Sequence, residues 1–270
     1  MTTVLFALLI GYASIVGVVF VIQRSLMYHP GQRLPDPAAT LVPEMVAVQQ
    51  ATADGLTNVS WYAPATGGKP TLVYFHGNAG HIADRDSKVR PYLDIGWGVM
   101  LVGYRGYGDN PGRPTEEGLY ADGRAALAAL EERGLKPDKF VIYGESLGTA
   151  IAVRMAWEMA RNGHPVKALV LEAPFNTMGD AAANAYPFLP ARLMVKDRYD
   201  SESLINKIAT PLFVIHGDRD RVVPLALGQR LFAAAQPPKN SAWVTGASHN
   251  DLYDFGAARH VIGFINSLGA

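Results

Sequence analysis

The chain of 270 residues contains no cysteine. That absence excludes disulfides, a cysteine nucleophile and a cysteine-ligated zinc site. It leaves the compartment open, because a cysteine-free chain suits reducing and oxidising surroundings alike. Charge is sparse as well. Asp, Glu, Lys and Arg make up 18% of the residues, and 24 acidic groups balance 24 basic ones. No long basic run exists to meet a phosphate backbone, so nucleic acid is not an expected partner. No Gly-Lys-Ser or Gly-Lys-Thr follows a glycine-rich turn, which excludes a phosphate-binding loop. Low charge beside 49% hydrophobic residues points to a large buried core or a membrane segment.

Charge is wholly missing from Val4 to Ile22. As a helix this run is roughly 28 Å long, close to the hydrocarbon thickness of a bilayer. A cleaved signal peptide would want a charged start, a shorter apolar run and a small-residue exit. This segment starts Met-Thr-Thr and leaves through Val21-Ile22-Gln23-Arg24. A core helix would show a polar face, and only Tyr12 and Ser14 interrupt the run. The reading adopted is a single-pass membrane anchor over residues 1–24. Arg24 and Arg33 follow it and no Lys or Arg precedes it, which leans toward a cytoplasmic catalytic domain. Residues 25–44, rich in proline, read as a linker.

From residue 45 the pattern changes. Met45–Ala51 and Asn58–Tyr62, split by Ala53-Asp54-Gly55, read as a β-hairpin. Thr71–Phe75, Val99–Tyr104, Phe140–Tyr143, Ala168–Leu171, Leu212–Ile215 and Ala242–Thr245 are short apolar runs, as in strands buried on both faces. Helical patterns at Ile82–Leu93, Glu116–Arg133, Leu147–Asn162, Leu225–Ala235 and Leu252–Leu268 alternate with them. The alternation predicts an α/β fold with a mostly parallel eight-stranded sheet flanked by helices. The stretch from Phe175 to Thr210 is too long for a plain connection. It reads as a lid over about 176–209, or as an extra helix pair at the sheet edge. Its apolar residues Phe188, Leu189 and Met194 are the expected substrate contacts.

Gly144-Glu145-Ser146-Leu147-Gly148 fits G-x-S-x-G between a predicted strand and a predicted helix. The flanking glycines permit a sharp turn that exposes the Ser146 hydroxyl where open α/β sheets bind ligands. A serine hydroxyl needs a base within reach. His249, in Gly246-Ala247-Ser248-His249-Asn250-Asp251 before the last helix, is the best placed of seven histidines. The acid that orients it lies in His216-Gly217-Asp218-Arg219-Asp220; Asp220 is chosen, and Asp218 reads as a turn residue. The oxyanion donors are the Leu147 amide and an amide of His76-Gly77-Asn78-Ala79-Gly80, either Asn78 or, as the alternative, Ala79.

These motifs, together with Tyr74-Phe75-His76-Gly77-Asn78-Ala79-Gly80, Tyr104-Arg105-Gly106-Tyr107-Gly108, Leu171-Glu172-Ala173-Pro174-Phe175, His216–Asp220 and His249-Asn250-Asp251, resemble the α/β-hydrolase superfamily over roughly 45–270. Within it the chain is similar to membrane-anchored hydrolases that include depalmitoylases and lysophospholipase-like enzymes. The resemblance implies Ser146, Asp220 and His249 as the triad, an ester or thioester substrate with an acyl chain, and no cofactor or metal. Glu145 departs from it, since a basic or small residue is more usual before the serine. The expectation is a carboxylic ester hydrolase acting on an acyl lipid or other amphiphilic ester and attached to a bilayer. A thioesterase or peptidase on the same triad is the alternative, and a non-catalytic binding protein a remote third. Dehalogenase chemistry would need an aspartate where Ser146 stands.

Overall fold

The computed structural model describes residues 2–269. Its central sheet has eight strands: β1 (Val46–Ala51), β2 (Thr57–Ala63), β3 (Thr71–Phe75), β4 (Gly98–Val102), β5 (Phe140–Glu145), β6 (Ala168–Glu172), β7 (Leu212–Gly217) and β8 (Lys239–Val244). Their order across the sheet is β8-β7-β6-β5-β3-β4-β2-β1. The hairpin β1–β2 is antiparallel, and β2 joins β4 antiparallel; every other neighbour is parallel. The strand order reverses beside β3 and β5, which opens a crevice at the carboxyl ends of those strands.

Helices cover both faces of the sheet. One layer contains α3 (Glu116–Glu132), α4 (Leu147–Arg161) and α8 (Leu225–Ala234); the other contains α2 (Asp86–Asp94) and α9 (Ala257–Ser267). The strands serve two cores at once. In β3, Val73 and Phe75 belong to one core with Leu119, Ile151 and Leu231, while Leu72 and Tyr74 belong to the other with Val89, Tyr92 and Val261. A period of two, apolar on both faces, gives the uninterrupted apolar runs of the sequence. Helix α3 begins where Thr115 accepts from the Gly118 amide and Glu116 and Glu117 face the positive end of the dipole.

Several boundaries differ from expectation: the last strand begins at Lys239 rather than Ala242, and the helix expected from Ile82 begins with a 3-10 turn, Ile82–Arg85, before α2. The last helix starts at Ala257 rather than Leu252, because residues 252–256 form turns that end on Gly256 at φ 81°. The segment 176–209 holds three short helices, α5 (Met178–Ala185), α6 (Ala191–Met194) and α7 (Glu202–Ile205).

Helix α1 (Thr2–Met27) is long and apolar enough to cross a membrane. None of its described residues is buried, and only Val16, Val19, Gln23 and Met27 are half-buried. It outruns the apolar stretch by a turn and stops before His29-Pro30. The segment expected to be a linker is held against the domain. His29 and Pro30 pair in parallel with Ala79 and Gly80, and Tyr28, Pro37 and Val42 are buried.

Candidate active site

Four loops meet at the carboxyl end of the parallel strands. They follow β3, β5, β7 and β8 and carry Asn78, Ser146, Asp220 and His249. Ser146 sits between β5 and α4 with φ 50° and ψ −115°, a strained conformation for a residue with a side chain. The turn is possible only because its neighbours lack Cβ atoms. A Cβ on Gly148 would lie 2.0 Å from the Phe75 carbonyl oxygen, and one on Gly144 would lie 2.5 Å from that of Gly148. The Ser146 amide donates to the Glu172 carbonyl at 2.9 Å, which ties the turn to β6.

His249 Nε2 lies 3.0 Å from Ser146 Oγ, and its Nδ1 lies 2.7 Å from Asp220 Oδ2. A carboxylate only accepts, so Nδ1 carries the proton and Nε2 is free to accept from the serine hydroxyl. The histidine loop is braced by Asp251, which accepts from the Ser248 amide at 2.7 Å and the Ser248 hydroxyl at 2.6 Å. Asp220 is buried, and its Oδ1 accepts from the Val222 and Val223 amides, each at 2.8 Å. Burial alone would raise its pKa. Hydrogen bonds from His216, His249 and the Val223 amide override that and hold the carboxyl well below the usual carboxylate range. Asp218 points elsewhere and accepts from the Gly246 amide at 2.8 Å, as a turn residue does.

The sequence reading missed a second histidine at this carboxylate. His216 is fully buried, and its Nε2 lies 3.1 Å from Asp220 Oδ2 and 2.9 Å from the Val223 carbonyl oxygen. Both partners accept, so Nε2 carries the proton. The motif His216-Gly217-Asp218-Arg219-Asp220 contained the signal, because the end of a strand and a turn four residues later fold back on each other.

Leu147 and Asn78 flank Ser146 in one cavity. Leu147 is the first residue of α4, whose leading amides lack partners within the helix. The Asn78 amide donates to no acceptor among the described residues, whereas its carbonyl accepts from the His29 amide and the Tyr107 hydroxyl. Ala79 belongs to the pairing with His29. The loop rests on His76, which donates from Nδ1 to the Gly77 carbonyl and packs on the Tyr104 ring at 4.1 Å. Burial lowers the His76 pKa to about 3 and keeps the ring neutral.

Glu145 faces away from the cavity. It accepts from Tyr74 at 2.7 Å and from Arg85 at 3.0 Å, with Lys88 at 3.3 Å. Burial opposes its ionisation, but the charges of Lys88 and Arg85 prevail and hold it below the carboxylate range. Lys88 also pairs with the buried Glu172 at 2.9 Å. This network lies under the Ser146 turn, and none of its residues lines the cavity.

The cavity beside Ser146 has a volume of about 270 Å³. No charged side chain lines it among the described residues. Leu189 and Met194 are part of its wall, with Phe175 and Met178. Phe188, expected in the pocket, is not: it is 65% exposed and meets Tyr186 edge-on. In the tight turn 186–190, Leu189 turns inward and its neighbour therefore turns out.

The chain matches the family model described as alpha/beta hydrolase fold over residues 70–202. An uncharacterized protein of Mycobacterium tuberculosis is 39% identical over 232 residues, covering 85% of this chain and 81% of that one. The human alpha/beta hydrolase domain-containing protein 17B is 35% identical over 193 residues, covering 70% and 63%. Among solved structures, an esterase of Pyrococcus furiosus superposes with a TM-score of 0.70 at 21% identity, covering 88% of this chain and 98% of its own.

Proposed function

Because the chain belongs to the α/β-hydrolase family, we propose that its hydrolase activity is that of a serine enzyme cleaving carboxylic esters of acyl chains. The observation that carries this reading is the unbroken line of hydrogen bonds from Ser146 through His249 to Asp220. Ser146 Oγ attacks the acyl carbon while His249 Nε2 takes its proton. The oxyanion accepts from the amides of Leu147 and Asn78, aided by the positive end of α4. Collapse breaks the bond to the leaving group, which takes the proton from His249. Water then attacks the acyl-enzyme by the same route and releases the acid. Asp220, kept ionised, stabilises the imidazolium in both steps.

The uncharged cavity favours an apolar acyl group over a peptide side of mixed polarity. Whether oxygen or sulfur leaves is decided outside this wall, so a thioester is the second reading. Helix α1, retained as a membrane anchor, places the site next to amphiphilic substrates. A series of p-nitrophenyl esters from acetyl to palmitoyl tests the substrate class. Each added methylene buried in the cavity is worth about 0.8 kcal/mol, or about fourfold in kcat/KM, until the cavity is full. A profile that peaks at acetyl and collapses beyond butyryl contradicts the reading.

A further inference from the structure

We infer that α1 is one wall of the acyl site, so that the acyl chain of a bilayer lipid enters the cavity sideways from the leaflet next to the catalytic domain. This rests on the serine-hydrolase reading above. Val19, Gln23, Leu26 and Met27 line the same cavity as Ser146. Their spacing is that of one helix face, and it covers about 12 Å along the axis. The outward faces of the same helix are open, with Val21 75% and Phe6 66% exposed. A chain in the hydrocarbon around α1 is therefore a half-turn of the helix from the cavity.

The opposite wall is tied to α1 high up the apolar stretch. Tyr12 donates to the Phe188 carbonyl at 3.0 Å. Gln23, the one amide at the end of the run, donates to the Met194 carbonyl at 3.3 Å and accepts from the Lys196 amide at 2.8 Å. Between these ties Leu193 is 90% exposed, as Phe188 is beside them. Such apolar side chains next to a spanning helix suit hydrocarbon and not water.

Depth agrees with this orientation. Arg24 pairs with Asp197 two residues past the apolar stretch, and the Lys196 ammonium lies 4.2 Å over the Phe20 ring in its last turn, where a polar boundary belongs. The Asn78 side chain donates to the Met27 carbonyl at 2.8 Å, three residues beyond Arg24, which sets the oxyanion loop just past that boundary, and Ser146 lines the same cavity as Asn78 and Met27. The reactive serine thus stands at the depth of a lipid's ester group. The cavity runs from it along α1 toward Val19, in the direction the acyl chain takes. An acyl lipid fits this arrangement without leaving the bilayer.

The test uses the full chain in phosphatidylcholine vesicles and a long-chain alkyl fluorophosphonate with a terminal diazirine. After reaction and irradiation, peptide mass spectrometry locates the adduct and the cross-link. The expected result is a Ser146 adduct cross-linked to residues 16–27 and to the 178–194 segment. A Ser146 adduct cross-linked only elsewhere overturns the α1 wall and leaves the hydrolase reading standing. A folded protein that forms no Ser146 adduct overturns the hydrolase reading, and this inference with it. A second arm compares Val19→Trp with Val21→Trp, on the outward face. Val19→Trp is expected to lower the ratio of palmitoyl to butyryl ester hydrolysis at least tenfold, and Val21→Trp to leave that ratio at the wild-type value. Equal ratios in the two variants contradict the inference.

Discussion

At the scale of the residue, the candidate site depends on how Asp220 is held. Four donors converge on its two oxygens: two backbone amides, His249 and His216. His216 is not part of the cavity wall, so the role expected of it is a positioning one, exerted through Asp220. A hydrogen bond to a charged group is worth about 1.5–3 kcal/mol, so His216→Leu is expected to lower kcat about tenfold or more with KM little changed. His216→Gln, which keeps an N–H near the carboxylate, is expected to recover part of that loss. Two variants within twofold of wild type would contradict the assignment, as would activity lost in step with folded fraction.

His76 gives a pH prediction of definite sign. Its pKa lies at about 3 in the folded chain against 6.5 for an ordinary histidine. As pH falls through that window, the unfolded chain binds a proton that the folded one refuses, so stability is full above 6.5 and declines below it. By pH 5 the decline from this group is about 2 kcal/mol. Thermal unfolding in detergent at pH 7 and pH 5 measures it, and His76→Asn is expected to flatten that difference. A wild-type midpoint unchanged between the two pH values would contradict the account. Below the carboxylate range, Asp220 and Glu145 add to the decline in the same direction.

Single residues also show what the sequence could disclose. Ser146, Asp220 and His249 were legible because each sits in a short glycine-bearing motif after a strand. The spacing within each motif carries the turn geometry. Phe188 and Leu189 were not separable, since adjacent apolar residues in one turn differ only in direction. Glu145 stood out only as a departure from the family pattern, and its role depends on Arg85 and Lys88, which arrive from the start of α2 some 60 positions earlier.

At the scale of the element, α1 is more than a tether. Arg24 donates to Asp197 through two nitrogens at 2.8 and 2.9 Å, and Tyr28 reaches the same carboxylate at 3.1 Å. Asp197 also accepts from the Glu116 amide at 3.3 Å, which links α1 to the start of α3. Removing it leaves Arg24 and Tyr28 without their shared acceptor. Asp197→Ala is expected to cost about 2 kcal/mol and to lower Tm by roughly 4–8 °C. It should also speed trypsin cleavage after Arg24 in detergent. Unchanged Tm and unchanged cleavage would show that α1 is held by other means.

The strands and most helices of the core were readable because their burial pattern is local. The contacts of α1 were not. An apolar run fits a bilayer and a groove equally well, and its partners lie about 170 positions away. Gln23 was the one available hint. An amide inside an apolar exit has to find partners, and the partners turned out to be Met194 and Lys196.

At the scale of the whole molecule, the sheet order explains why distant motifs converge. Strands β3, β5, β7 and β8 run parallel, so the loops after them share one end of the sheet. The convergence of the candidate nucleophile, base, acid and oxyanion loop follows from that single topological fact, and the packing of 176–199 against α1 then adds the apolar cavity. The account therefore stands or falls on an activated Ser146. The most direct measurement is labelling of the purified full chain in detergent with a fluorophosphonate probe, beside Ser146→Ala and His249→Ala. The account predicts that the wild type labels and that both folded variants do not. A folded wild type that stays unlabelled, or a Ser146→Ala variant that labels as the wild type does, would contradict it.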